Sequence, residues 1–215
     1  MNGESHCPLC LTAGAVEFSA DRRREYLRCR QCLLVFVPPQ YYLDRDSERR
    51  EYDLHRNDVN DPGYRQFLLR LARPLLERVG SRGQNGLDFG CGPGPALADM
   101  LQQAGHHMTL YDSFYQPDEP ALQGQYDFIC ATEVVEHLHR PHQVLAQLWS
   151  LLRADGWLGI MTKLVVDADA FSRWHYKNDP THVCFFSECT WQWWADKYDA
   201  DLEQLGADVI LLRKV

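Results

Sequence analysis

The sequence predicts an α/β protein: a mainly parallel sheet with helices on both faces, an antiparallel hairpin at its C-terminal end, and a small cysteine-rich module in front. Three observations carry this. Strand-sized apolar runs alternate with helical periodicities from residue 81 onward, which is how strand–helix–strand units read. A glycine-rich turn, Gly90-Cys91-Gly92-Pro93-Gly94, follows the first of those strands. Two CxxC pairs lie within the first 40 residues.

The pairs are Cys7-Pro8-Leu9-Cys10 and Cys29-Arg30-Gln31-Cys32, separated by 18 residues. Each knuckle offers two thiolates, so Cys7, Cys10, Cys29 and Cys32 suit one tetrahedral zinc. A module of this size buries too little apolar surface to fold alone, and metal binding would supply the missing stability. The polar stretch that follows is punctuated by Pro38-Pro39 and Asp61-Pro62-Gly63. From Tyr64 to Val79 apolar residues recur at helical spacing, and Pro74 should kink or divide that helix.

In the core, Leu87–Phe89, Met108–Tyr111, Tyr126–Ala131 and Trp157–Lys163 read as strands. Ala96–Ala104, Pro141–Leu152 and Thr190–Tyr198 read as helices, the first closed by Gly105. Asp201–Leu205 and Val209–Leu212 flank Gly206-Ala207 and predict a hairpin with a two-residue turn.

The 215 residues suffice for one α/β core and a small appendage. A net charge of −8 argues against an open nucleic-acid surface, because phosphate binding leaves a basic footprint. Arg22-Arg23-Arg24 with Arg28 and Arg30 is the local exception, and it reads first as a solvated turn. No segment is apolar enough for a signal peptide or a membrane span, so the expected compartment is the cytoplasm, with no membrane partner. There, eight cysteines are thiols and metal ligands; Cys91, Cys130, Cys184 and Cys189 lack paired spacing and read as small buried residues.

A glycine turn between strand and helix lets backbone approach a ligand at a helix N-terminus. Asp112 ends the next strand, 20 positions beyond Gly92, where a carboxylate can accept from both ribose hydroxyls. A dinucleotide would compete for such a site, but the spacing here is GxGxG and not GxGxxG. The segment Asp88-Phe89-Gly90-Cys91-Gly92-Pro93-Gly94, the strand-ending carboxylate and the reversed hairpin together resemble the class I S-adenosylmethionine (SAM)-dependent methyltransferases. The sequence is similar in particular to bacterial types with an N-terminal zinc-ribbon segment, over nearly the whole chain and including Tyr126–Pro141 and Asp179–Ser187. It implies a Rossmann-like methyltransferase sheet. It also implies that Gly90, Gly92 and Gly94 contact the methionine part of SAM with Asp88 nearby, that Asp112 holds the ribose, and that Ser113 or Phe114 lies by the adenine. One departure stands out. Ser113–Gln125 is too short and polar for the family's third strand and its helix, so the sheet should lack that edge. The resulting layout is a zinc ribbon at 1–40, a helical connector covering the cofactor site at 41–80, and the SAM-binding domain at 81–215.

Glu133-Val134-Val135-Glu136-His137 follows the Tyr126–Ala131 strand at the end of the sheet where ligands collect. Two carboxylates and an imidazole suit a divalent ion, magnesium or another, or acid–base work. The segment is similar to one in ubiquinone-pathway and small-RNA O-methyltransferases, which bind a divalent metal there. In the RNA enzymes a later histidine completes the site, and His182 is the matching residue. The other reading of the resemblance leaves Glu133 on the methionine amino group and the rest as a helix cap. His182, His137 and Glu136 are the catalytic candidates, and Glu133 a cofactor contact. His182 could also act as a general base without metal. His175 reads as a packing or substrate-wall residue, Trp191 and Trp194 as core, and the long insertion with Phe171 and Trp174 as a substrate lid.

The implied function is SAM-dependent O-methylation of a small molecule. Two readings rank behind it: an RNA methyltransferase that grips RNA with the ribbon and its arginines, and a non-catalytic SAM-binding regulator whose ribbon docks a protein partner. Gly92→Arg should abolish SAM binding in a calorimetric titration; unchanged affinity would remove the cofactor assignment.

Overall fold

The computed structural model describes residues 5–54, 58–80 and 82–215; the expected domain boundary at Ser81, the first residues of the ribbon and three connector positions lie outside the described residues. β1 (Val16–Ala20), β2 (Glu25–Arg28) and β3 (Val35–Phe36) form an antiparallel sheet. The residue after each CxxC, Leu11 or Leu33, has left-handed backbone at φ 65° and 60°. That conformation is uncommon for a residue with a branched side chain, and its repetition marks two equivalent knuckles.

Two helices follow. α1 (Arg45–Tyr52) is capped by Asp44, which accepts from the Ser47 N–H, and it buries no side chain. α2 (Pro62–Val79) is capped in the same way by Asp61 onto the Tyr64 N–H. Pro74 lies inside α2 but does not divide it: the helix runs through all 18 residues. A helix-interior proline costs about 3 kcal/mol, whereas burying one Leu-sized side chain returns roughly 1.5–3 kcal/mol. Leu68, Leu71, Ala72 and Leu75 bury one face of α2, so packing outweighs the lost bond.

The central domain comprises β4 (Asn85–Phe89), α3 (Ala96–Gln103), β5 (His107–Tyr111), β6 (Tyr126–Thr132), α4 (Pro141–Leu151), β7 (Leu152–Met161), α5 (Ala168–Ser172), β8 (Cys184–Phe185), α6 (Glu188–Tyr198), β9 (Ala200–Leu205) and β10 (Val209–Lys214). The main sheet has the order β5-β4-β6-β7-β10-β9, parallel except for β10, which runs against both neighbours. Beyond β5 the chain makes an isolated bridge from Asp112 to Gln116 and a 3-10 turn at Glu119–Gln123. The described residues form no strand beyond β5, in line with the short, polar Ser113–Gln125 segment.

Alternation along the strands divides the core in two. Phe128, Cys130, Met161, Val209 and Leu211 face α2 and α3. Ile129, Ala131, Leu158, Ile160, Ile210 and Leu212 face the layer of α4 and α6, where Trp149, Trp191 and Trp194 pack. α2 sits so close to β7 that a Cβ at Gly159 would lie 3.1 Å from Leu71.

Three details differ from expectation. β7 starts at Leu152 and not Trp157, because left-handed Asp155 and a register slip opposite Tyr126–Phe128 carry the strand through the polar stretch. The hairpin turn has three residues, since Leu205 pairs with Val209. The third, Asp208, is buried; its carbonyl accepts from the Thr162 N–H and its carboxylate pairs with Arg70, fastening the hairpin to the end of β7. Cys189 is exposed, unlike Cys91, Cys130 and Cys184.

β8 does not join the main sheet. It pairs with β3 and completes the N-terminal sheet in the order β1-β2-β3-β8. No described helix is long and apolar enough to cross a membrane. Leu71→Ala, which removes the side chain seated against Gly159, should lower stability by about 3 kcal/mol in urea unfolding; a loss under about 1 kcal/mol would contradict this packing.

Candidate active site

The glycine turn is built against β5. The Gly90 and Cys91 N–H groups donate to the Tyr111 carbonyl at 2.7 and 3.2 Å. Gly90 has φ 76°, and a Cβ there would lie 2.4 Å from a Val134 methyl, so both backbone and neighbour require glycine. Asp112 locks the turn: Oδ2 accepts from Gly92 N–H at 3.0 Å, while Oδ1 accepts from Phe114 and Tyr115 at 2.8 and 3.1 Å. Gly90, Gly92, Asp112, Ser113 and Phe114 line one side of a cavity of about 600 Å³. Gly94 and Asp88 are not on its wall. Asp88 lies buried beneath the turn, where burial pushes its carboxyl up to about 7 despite a bond from the Ala98 N–H.

α1 covers this side. Arg45 donates to the Ser113 carbonyl at 2.7 Å and lies over the Phe114 ring, and Tyr115 O–H donates to Asp53 at 2.7 Å. Tyr52 and Glu48 reach the cavity wall from the same helix.

The opposite wall holds the acidic segment. Glu133 has left-handed backbone at φ 51°, and its N–H donates to the Met161 carbonyl at 2.8 Å. Strain of this kind concentrates at functional positions. Its Oε1 is buried with no hydrogen-bond partner among the described residues, while Oε2 accepts from Tyr176 O–H at 3.3 Å. Glu136 is fully buried; it accepts from Thr162 Oγ1 at 3.0 Å and from the Tyr176 hydroxyl. Burial, and then the Glu133 charge, push the Glu136 carboxyl upward. Glu136 is therefore not on the cavity wall, whereas Glu133, His137 and His182 are.

His182 Nδ1 lies 2.7 Å from the Tyr176 carbonyl. A carbonyl only accepts, so Nδ1 carries a proton, and Nε2 lies 3.7 Å from Asp179 Oδ2. The His137 and His182 rings meet at 4.6 Å. One donor atom each from Glu136, His137 and His182 lies within 4.8 Å of the others. Two imidazoles and a carboxylate with open positions suit a divalent transition metal better than magnesium. The Nδ1–carbonyl bond is the usual support for a ligating histidine. Glu133 stands outside that group, joined to it through Tyr176.

The four N-terminal thiols also come together, with all Sγ atoms within 4.8 Å of one another. Cys7–Cys32 and Cys10–Cys29 approach to 3.5 and 3.3 Å. Thiolates at about 2.3 Å from one tetrahedral zinc stand about 3.8 Å apart, so the arrangement fits that ion.

Several sequence readings are revised here. The insertion after β7 is fastened down: Phe171 is buried edge-on against Phe18, Tyr26, Trp174 and Phe185. His175 is exposed at its rim. Arg24 is no solvated cation but a buried one, 6% exposed. Tyr176, which bridges both glutamates, escaped the sequence reading because an aromatic-rich stretch looks like core whichever ring carries a polar contact.

The model of the methyltransferase-domain family matches residues 61–205. The chain belongs to that family. No curated protein sequence matches this methyltransferase. Among solved structures it is similar to magnesium protoporphyrin IX methyltransferase from Synechocystis PCC 6803, determined with bound SAM, at TM-score 0.53 and 15% identity over 82% of this chain and 94% of that one. It is also similar to a putative SAM-dependent methyltransferase from Methanococcus maripaludis, at TM-score 0.52 and 13% identity over 80% and 94%. At these identities the likeness concerns the fold, and the six-stranded order with its reversed β10 agrees with it.

Asp88 gives the methyltransferase a pH signature. Its carboxyl is raised in the folded protein, so the native state keeps a proton that the unfolded chain has lost between about pH 4 and 7. Stability from this group is full below about pH 4 and falls as the pH rises through 7. Asp88→Asn should match the wild type near pH 4 and exceed it in urea unfolding at pH 8; equal stability at both would refute the assignment.

Proposed function

We propose that this methyltransferase transfers a methyl group from SAM to an oxygen of a small molecule held between the glycine turn and the loop at 175–182. One observation carries the reading: the glycine turn, Glu133, His137 and His182 line the same cavity of about 600 Å³. That volume is in the range of ordinary ligand pockets, so an acceptor sharing it with a cofactor is small. SAM, when bound, supplies a methyl group already activated by a sulfonium. The Gly90–Gly94 turn offers backbone to its methionine end, with Gly94 and Asp88 supporting from behind the wall. Asp112 is at hand for the ribose, Ser113 and Phe114 for the adenine. Glu133 Oε1, buried and unpartnered, suits the methionine ammonium.

The acceptor side is the work of His182, His137 and Glu136. His182 Nε2 can take the proton of an attacking hydroxyl, and Asp179 lies near enough to favour the imidazolium that forms. A divalent ion held by Glu136, His137 and His182 would instead lower the pKa of that hydroxyl. Zinc at Cys7, Cys10, Cys29 and Cys32 is structural in this reading. An RNA acceptor fits less well: Arg23 donates to the Asn178 carbonyl and Arg24 is spent inside the protein, which leaves the ribbon few cations to offer phosphates. A site this complete also speaks against a non-catalytic binder.

The test is calorimetric. S-adenosylhomocysteine should bind the wild type and bind Gly90→Ala at least tenfold more weakly; no binding to the wild type would overturn the proposal. Manganese, which thiolates hold poorly, should then bind the complex at one ion per chain and fail to bind His182→Ala. If the wild type binds none, the metal is removed and His182 remains as base.

A further inference from the structure

We propose that Arg24 is the positioning residue of the acceptor-side loop: its guanidinium fixes the backbone that carries Tyr176 and His182 against the cavity. Calling the loop acceptor-side rests on the function proposed above; the positioning itself does not.

The loop at 176–182 belongs to neither sheet. Three of its carbonyls, from Lys177, Asp179 and Pro180, converge on Arg24. Nη2 donates to Asp179 O at 2.6 Å and to Lys177 O, Nη1 donates to Pro180 O at 3.2 Å, and Nε donates to Tyr26 Oη at 3.1 Å. The Asp179 carbonyl also receives the N–H of His182 at 3.3 Å, so one oxygen joins the guanidinium to the histidine backbone. The planar fork holds these donors in a fixed geometry on two nitrogens, whereas an ammonium would have to meet all three carbonyls from one mobile atom.

The turn that presents Arg24 is itself braced. Asp21 accepts from the Arg23 and Arg24 N–H groups at 2.8 and 3.1 Å, and it pairs with Lys177 at 2.6 Å. Burial alone would raise the Asp21 carboxyl, but Lys177 and the two N–H groups hold it well below the ordinary range. Beyond His182, the Val37 N–H donates to Val183 O at 2.9 Å and the Val183 N–H donates to Glu136 O at 2.8 Å. His182 is thus bracketed by the N-terminal sheet on both sides, by a side chain before it and by a strand after it.

Arg24→Ala tests this, with residual structure checked by circular dichroism. Amide exchange in residues 176–183 should quicken at least tenfold, and the nitrogen resonances of His182 should lose the single tautomer set by the Tyr176 carbonyl. S-adenosylhomocysteine affinity should stay within twofold. A cleft of about 200 Å³ beside Arg23, Arg24 and Pro180 gives small ions access. Guanidinium at millimolar concentration should therefore restore both signals, sodium at equal ionic strength should not, and Arg24→Lys should recover only part. Unchanged exchange and tautomer in folded Arg24→Ala would overturn the proposal, as would guanidinium having no effect. If Arg24→Ala does not fold, Lys177→Met removes the parallel tie to Asp21, and a loop indifferent to that change would overturn it equally. Wild-type protein that fails to bind S-adenosylhomocysteine strikes the proposed function alone and leaves the loop result standing.

Discussion

The carbonyls of Lys177, Asp179 and Pro180 turn to the same side of an irregular loop, and a buried guanidinium receives all three. A charge out of water is costly unless its donors are used, and carbonyl dipoles aimed at a delocalised cation meet that need. The backbone that this contact holds is the one that carries Tyr176 and His182. Tyr176 can bridge Glu133 and Glu136 only if its backbone is fixed, and its carbonyl selects the His182 tautomer. The four-cysteine cluster sits at the base of the strands that present Arg24. The N-terminal sheet in this sense braces the loop that carries Tyr176 and His182 to the cavity wall, although none of the sheet's own residues lines the cavity.

The glycine-turn side of the cavity is held differently. Where the sheet lacks an edge strand beyond β5, a helix without a single buried residue, α1, covers the glycine turn through Arg45, Tyr52 and Asp53. Polar and cation–π contacts of this kind contribute little each. The cover over the glycine turn is therefore weaker than its floor, which is a strand pair backed by Asp112 and two packed cores.

Where physical constraint is local, the sequence was readable. The strand, turn and helix around Gly90 announce themselves because a turn demands glycine and a buried strand demands apolar residues. The cysteine knuckles did so by spacing, and the missing strand by the bare length of Ser113–Gln125. Arg24 was misread because its partners are 153 to 156 residues away and are backbone atoms, which carry no residue signature. Tyr176 looked like its aromatic neighbours; only Glu133 and Glu136 behind it give its hydroxyl a task. Pro74 misled for the opposite reason: its penalty is local and legible, whereas the burial of Leu71 and Leu75 that overrides it depends on where β7 lies.

β8 has only two residues, yet it joins the ends of the chain. Its partner β3 precedes it by about 150 positions. On a ribosome the cysteine knuckles emerge well before the loop at 176–182 is made. The site then closes only when residues near 180 reach back to strands near 30, a contact of high sequence separation and hence a slow one. Nascent or truncated chains that end before β8 would carry a folded thiol cluster with an unpaired strand edge, an open invitation to associate with other chains.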